Sequence, residues 1–186
     1  MGRQSTFIQP AGDQKPLRSL KRPAWRLLDP NFQTNASFYA AQCMLATVTI
    51  FAVLLALDSV TQTVLVASLG ASSFIAFTMP HVEASRPRYL LGGYLMGTLT
   101  GCTFSLLGAG SFATLPSAGL VLAALATGSA IFLMVITDTE HPPAAALALG
   151  YALNDWNGLT VGVVFAGIVA IALIKECGKS NMKNLL

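Results

Sequence analysis

Residues 89–137 read YLLGGYLMGTLTGCTFSLLGAGSFATLPSAGLVLAALATGSAIFLMVIT and contain no Asp, Glu, Lys or Arg. A helix needs about 20 mostly apolar residues to cross a bilayer core of about 30 Å. The stretch is therefore long enough for two crossings, which we place at approximately Tyr89–Leu107 and Ser117–Ile136. An uncharged turn, 108–116, joins them.

The rest of the chain has the same character. Hydrophobic residues make up 54% of the 186 residues and charged residues only 10%, against about 25% charged residues in soluble domains. Three further uncharged gaps hold spans at approximately Phe38–Leu57, Gln62–Met79 and Gly158–Ile174. A water-soluble core does not need so many helices that are apolar all round. We therefore predict an all-α, polytopic transmembrane helix bundle with five clear spanning helices.

Basic residues predict the orientation of this bundle. Residues 1–33 form a basic tail and residues 176–186 a short basic C-terminal tail, on either side of a transmembrane domain at 34–175. Positively charged loops remain in the cytoplasm, which also places Arg86 and Arg88 there. We expect a multi-pass protein of the bacterial inner membrane with a cytoplasmic N-terminus.

Several classes of function lack support in the sequence. The net charge of +3 is too small to indicate nucleic-acid binding. No nucleophile-base pair, cofactor motif or phosphate loop is recognisable, so we predict no enzyme and no cofactor. We also predict no metal site, because the side chains with suitable ligand atoms have no compact spacing: His81, Glu83, Glu140 and His141, and the cysteines Cys43, Cys102 and Cys177.

Glycines recur at every fourth position of the third span, at Gly93, Gly97 and Gly101. Such a stripe lets two helix backbones approach closely. We interpret it as helix packing, either within one chain or between subunits. Homo-oligomers are compatible with so small a bundle, whose main partner is the lipid bilayer.

The segment between the fourth and last spans, 137–150, reads TDTEHPPAAALALG. A helix over Pro142–Leu153 would be only about 18 Å long, too short to cross alone. It either dips into the membrane as a half-helix or crosses together with extended chain before it. A full crossing makes the number of crossings even and therefore places the C-terminus in the cytoplasm. The lysines near the C-terminus prefer that side and so favour a full crossing: Lys175, Lys179 and Lys183.

The start of this short helix is a candidate anion site. Pro142 and Pro143 suit a first helical turn, with His141 directly before it. Helix N-termini carry partial positive charge and free N–H donors, which from Ala144 onward could bind an anion. Thr139 or Asp138 could cap the helix. An equally open alternative is a simple cytoplasmic turn.

Two carboxylates complicate an anion site here. Ionised Asp138 and Glu140 would repel the ligand. They could instead pair with Arg86 or Arg88, or form a proton relay with His141.

A second small and polar interruption, Ser68–Ser73, lies in the middle of the second span. Paired interruptions in hydrophobic segments point to transporter binding sites. The hydroxyls of Ser68, Ser72 and Ser73, with Gly70 between them, could bind an anion reversibly. The alternative, close helix packing by small residues, remains equally open.

These segments resemble the HPP family of small integral membrane proteins. The resemblance rests on Asp138–Pro143 followed by three alanines, on residues 67–80, and on Arg86-Pro87-Arg88 followed by Gly92-Gly93. It covers approximately residues 38–175. Two residues differ from the family pattern: Tyr94 stands where a histidine is common, and Leu147 stands where a small polar residue is frequent. Both differences are expected to remove polar groups near the path of a transported substrate.

The resemblance implies a function in transport. Plastid and cyanobacterial relatives are associated with nitrite, which implies a permease or channel for a small monovalent anion. His141, Pro142, Pro143 and Ala144 would receive the anion, the Ser68–Ser73 patch would line its path, and Arg86 and Arg88 would attract it at the cytoplasmic mouth. The competing class is a non-transporting assembly or regulatory subunit held by the Gly93, Gly97 and Gly101 stripe.

Overall fold

The computed structural model describes residues 30–56, 63–111 and 118–185, and within these ranges every regular element is helical. The all-α prediction is thus confirmed for this part of the chain. The basic tail up to residue 29, the turn at 58–59 and most of the turn at 108–116 lie outside the described residues. The helices are α1 (Pro30–Ala56), α2 (Thr63–Thr78), α3 (Pro87–Ser111), α4 (Ala118–Thr137), α5 (Pro142–Leu153) and α6 (Gly158–Gly178), with short 3-10 turns at Glu83–Ser85 and Lys179–Asn181.

Three segments among the described residues are long and apolar enough to cross a membrane: Pro87–Gly108, Gly119–Thr137 and Gly158–Asn181. The apolar stretches of the other three helices are shorter, at Ala36–Phe51, Val64–Thr78 and Pro142–Leu153. A membrane protein is therefore supported, whereas the predicted number of five clear spans is not confirmed. Large apolar side chains such as Leu120, Phe132 and Leu173 are mostly exposed, as expected where lipid replaces water.

Helix α5 connects opposite ends of the bundle. Helix α4 finishes beside the start of α3, where the Arg88 guanidinium donates to the Thr137 carbonyl over 3.1 Å. The chain after α6 returns to the end of α2, where the Leu185 N–H donates to the Thr78 carbonyl over 2.8 Å. Both α4 and α6 therefore end at one end of the bundle, which we call the basic end. Because α6 has 21 residues and is about 30 Å long, α5 must bring the chain to the opposite end.

The sequence left two possibilities for this segment: a re-entrant half-helix, or a crossing together with extended chain. The structure has the crossing. A half-helix that re-entered would return the chain to the end where it started. In the structure α5 instead extends from His141, beside Ser72 of α2, to Gly150, beside Val64 and Leu65 near the start of α2. The predicted half-helix is thus a short helix that traverses the bundle together with the loops that flank it.

The last residues of the chain pack against the start of α1 and the end of α2. The Tyr39 hydroxyl donates to the Leu185 carbonyl over 2.7 Å. The Gln42 amide donates to the carbonyls of Phe77 and Lys183. The first described turns of α1 and the C-terminal tail consequently lie at the same end of the bundle, the basic end.

The glycine stripe is used inside the chain. A Cβ on Gly93 would lie 2.6 Å from the Cβ of His141, and one on Gly101 would lie 2.8 Å from the Cβ of Tyr151. A Cβ on Gly97 would overlap the Ala144 carbonyl oxygen. The packing prediction is confirmed, and the partner of α3 along this stripe is α5 of the same chain.

Candidate functional site

Asp138 ends α4 and does not cap α5. It has a positive φ of 52°, the left-handed conformation that follows many helix C-termini. The Thr139 N–H donates to the Met134 carbonyl over 3.0 Å and the Asp138 N–H to the Val135 carbonyl over 3.4 Å. This pair of bonds is the Schellman arrangement. The N-cap of α5 is His141, whose side chain makes no capping bond, so the predicted cap at Thr139 or Asp138 is wrong.

His141 is fully buried. Its Nδ1 lies 3.1 Å from the Ala84 carbonyl oxygen, in the loop between α2 and α3. Its Nε2 lies 2.8 Å from the Ser72 hydroxyl of α2. A carbonyl can only accept, so Nδ1 carries the proton and Nε2 accepts from Ser72. Gly93 permits this position, since any larger residue would meet the His141 Cβ.

Two further hydroxyls extend this contact. The Tyr94 hydroxyl of α3 lies 2.9 Å from Ser72 Oγ and 3.3 Å from Ser68 Oγ. Ser68 donates to the carbonyl of Leu65 over 2.7 Å. Because Ser72 donates its hydrogen to His141, the Tyr94 hydroxyl is the donor in its 2.9 Å bond to Ser72 Oγ. We call Ser68, Ser72, Tyr94 and His141 the polar network; all four are buried.

The polar network is electrically neutral at neutral pH. The hydrogen bonds of His141 fit the neutral imidazole, since Nδ1 donates to the Ala84 carbonyl and Nε2 accepts from Ser72. The hydroxyls carry no charge, so the network offers rotatable O–H donors without a fixed ion.

The amide donors predicted at the start of α5 are occupied. Pro142 and Pro143 have no N–H to offer. The next N–H, of Ala144, donates to the His141 carbonyl over 2.9 Å. Hydrogen-bond donors near His141 therefore come from the side chains of Ser68, Ser72 and Tyr94.

The Ser68–Ser73 patch is divided between two faces of α2. Ser68 and Ser72 face α3 and α5, in the polar network. Gly70 and Ser73 instead line an apolar groove between α1 and α2, beside Cys43 and Phe74. The structure thus brings two of the three predicted serines to His141 and places Ser73 elsewhere.

The charged candidates are at the surface of the basic end. Arg88 lies 3.1 Å from Asp138, with both side chains 62% exposed. Arg86 lies 3.7 Å from Glu83, also exposed. Each arginine has a carboxylate beside it, which weakens its attraction for an approaching anion. The pairing of Asp138 with Arg88 agrees with one of the two roles that the sequence left open.

Glu140 is exposed and borders a small groove that also reaches His141, Pro142 and Met134. Within the described residues, no three His, Cys, Asp or Glu side chains come together in a way that could hold a metal ion.

Tyr94 is the site residue that sequence reasoning missed. Its place in the family pattern indicated the loss of a polar group, but its hydroxyl is a member of the polar network. Its ring also lies 5.8 Å from the His141 ring, centroid to centroid. The feature of the sequence that could have identified Tyr94 is its position directly after Gly93, the glycine that packs against His141. Leu147, the other departure, is a buried core residue.

Comparisons with known proteins identify a family of transmembrane proteins. The family model for the HPP transmembrane region matches residues 31–179. A curated transmembrane protein of Dictyostelium discoideum is 32% identical over 122 residues, which is 64% of this chain and 40% of the relative. The chain thus matches less than half of that relative's length. No solved structure matches the chain. The match to the family model covers most of the chain, which therefore belongs to the HPP family of transmembrane proteins.

Proposed function

We propose that this protein is a permease or channel for a small monovalent anion, with nitrite as the first candidate. The observation that supports the proposal is the polar network, a connected set of four polar side chains buried beside the apolar core. Polar groups inside a membrane protein are costly and usually serve a function. A purely structural bundle could fill this volume with apolar side chains.

The network has the chemistry that reversible anion binding needs. An anion requires N–H or O–H donors, and Ser68, Ser72 and Tyr94 carry hydroxyls that can rotate toward it. A permanently charged lysine or arginine among them would hold the anion too tightly, since conduction requires release as well as binding. His141 fixes the position of Ser72 through its bond to Ala84.

In this proposal the anion enters from the basic end. Arg86 and Arg88 lie there at the surface and attract it from solution. It then reaches the donors beside His141. Asp138 holds Arg88, so it modulates the attraction, and we assign it no part in a proton relay.

The same proposal includes a topology. We propose that the five predicted spans and α5 all lie within the membrane, with the basic end in the cytoplasm. Arg86, Arg88, Lys175, Lys179 and Lys183 belong to that end, as the positive-inside rule requires. The α1 start and the C-terminal tail would both be cytoplasmic. A bacterial inner membrane remains our prediction for the location.

The alternative, a non-transporting assembly or regulatory subunit, has less support. Its predicted attachment surface was the stripe of Gly93, Gly97 and Gly101. These glycines contact α5 of the same chain and are not available to another subunit. Transport by the purified protein alone would separate the two functions.

Anion uptake into liposomes that contain only this protein tests the proposal. Nitrite, nitrate, formate and chloride are compared, for the wild type and for Ser72→Ala, which removes the central hydroxyl of the network. Thr103→Val is the matched control, because Thr103 is exposed on α3 and bonds only the carbonyl of Leu99 in its own helix. Gel filtration confirms that each variant is folded.

We expect saturable nitrite uptake in the wild type and in Thr103→Val, and an approximately tenfold loss in Ser72→Ala, the factor for a hydrogen bond to a charged ligand. No uptake of any of the four anions by folded wild type would overturn the proposal. Uptake that is equal in all three proteins would retain transport but remove the polar network from the path.

A further inference from the structure

Two buried hydroxyls lie one helical turn or more beyond the polar network and have no hydrogen-bond partner. They are Thr98 Oγ1 of α3 and the Tyr151 hydroxyl of α5. Tyr151 is fully buried and Thr98 is 8% exposed. Buried side-chain donors are nearly always paired in folded proteins, so two such donors in one interior require an explanation.

Thr98 differs from most helical threonines of the described residues. A threonine inside a membrane helix ordinarily satisfies its hydroxyl by bonding a carbonyl of the preceding turn. Seven threonines of the described residues do so: Thr47, Thr49, Thr78, Thr100, Thr103, Thr127 and Thr137. The Thr98 hydroxyl makes no such bond, although the same partner is available to it. Its hydroxyl instead faces that of Tyr151, without a hydrogen bond of normal geometry.

Tyr151 is brought to the same region by the glycine stripe. A Cβ on Gly101 would lie 2.8 Å from the Tyr151 Cβ, so only glycine lets the tyrosine approach α3 this closely. The Tyr151 hydroxyl faces the Thr98 hydroxyl in a weak contact that lacks normal hydrogen-bond geometry, and Cys102 and Tyr94 lie near it. The Thr98 and Tyr151 hydroxyls consequently share one part of the interior with the inner edge of the polar network.

Polar side chains then continue along α3 to the opposite end. Tyr94, Thr98, Cys102 and Ser105 follow each other at intervals of three or four residues, which places them on one face of the helix. Ser105 accepts a 3.0 Å hydrogen bond from the Trp156 indole N–H. The Trp156 ring contacts Tyr151 edge-on at 6.0 Å. One face of α3 thus carries polar groups from His141 to the far loop.

We propose that Thr98 and Tyr151 form a second binding position for the permeating anion, about 6 Å deeper than the polar network along α3. Two O–H donors without a hydrogen bond of normal geometry suit a ligand that only accepts hydrogen bonds, which is the chemistry of a small oxyanion. Tyr94 of the polar network lies one helical turn from Thr98 on the same face of α3. The proposal rests on the proposed transport function and extends its path toward Trp156.

Two variants that keep the side-chain volume test this position. Tyr151→Phe removes one unpaired hydroxyl, and Thr98→Val replaces the other with a methyl group. Thr103→Val again serves as the control on α3. Nitrite uptake into liposomes and the melting temperature in detergent are measured for each protein.

We expect nitrite uptake to fall about tenfold in each variant, while the melting temperature stays the same or rises. Removal of either hydroxyl loses at most the weak contact between the two in the resting protein. A hydroxyl with a purely structural role would instead lower the melting temperature when removed. The combination of lower uptake and unchanged stability is therefore specific to a ligand position.

Three outcomes would overturn the inference. Normal uptake in both variants would remove Thr98 and Tyr151 from the path and leave the proposed function intact. A lower melting temperature in both variants would show that the hydroxyls are bonded in the resting protein. No uptake by the wild type would overturn the proposed function, and this inference with it.

Discussion

Gly97 of α3 lies directly against the backbone of Ala144 in α5, where a Cβ would overlap the Ala144 carbonyl oxygen. The carbonyl belongs to the first turn of α5, next to His141. Helix packing at Gly97 and the position of the polar network are therefore parts of one arrangement.

Gly97→Ala should lower the stability of the protein and displace His141. The new methyl group meets backbone, which cannot rotate away, so we expect a cost of about 2 kcal/mol or more. The control is Gly128→Ala in α4, where nothing lies within 4 Å of the added Cβ. That change should stabilise the helix by about 0.5 kcal/mol. Melting temperatures in detergent compare the two, and equal values would contradict the packing described here.

Acid should destabilise the protein through His141. A protonated imidazole donates from both nitrogens, so Nε2 could no longer accept the bond from Ser72. The buried site also disfavours a charge. Stability should therefore fall as pH falls.

Melting temperatures measured from pH 7 to pH 4 test this dependence against His141→Gln. The variant lacks the titrating group, so its melting temperature should fall less over the same window. Parallel curves for the two proteins would assign the acid sensitivity to other residues.

Asp138→Asn should raise nitrite uptake at low ionic strength, by about threefold. Asn removes the charge that holds Arg88, and it tolerates the positive φ at this position. The effect should disappear at high salt, because screening suppresses attraction between exposed charges. Uptake assays at two salt concentrations give the answer. Unchanged uptake at low salt would remove Arg88 from the entry of the anion.

Lys175 of α6 is fully buried and bonds Glu176, which is partly exposed. Glu176→Gln removes the charge that compensates the buried ammonium group, and we expect a loss of about 3 kcal/mol. Lys175→Met should cost much less, since an apolar side chain of similar length replaces the buried charge. The free energy of unfolding is measured for both single variants and for the double variant. A greater loss of stability in Lys175→Met than in Glu176→Gln would contradict the prediction.

The sequence by itself determined the class of protein. Uncharged runs such as 89–137 can be stable only in lipid or in a helical core, so composition alone predicted an all-α membrane bundle. The spacing of Gly93, Gly97 and Gly101 likewise indicated close helix packing. The motifs around His141 and Ser68–Ser73 indicated the family, and two of the three predicted serines lie in the polar network with His141. These features are encoded locally, in composition and in helical periodicity.

Only the tertiary structure decided which groups meet. The partner of the glycine stripe could have been another subunit, and its identity as α5 depends on contacts between segments distant in sequence. Tyr94 belongs to the site because its hydroxyl reaches Ser72, 22 residues earlier in the chain. Ser73 does not belong to it, because a helix turns 100° per residue and adjacent serines therefore face different directions. The direction of α5 followed from where α4 and α6 end, a property of the whole bundle that no single segment contains.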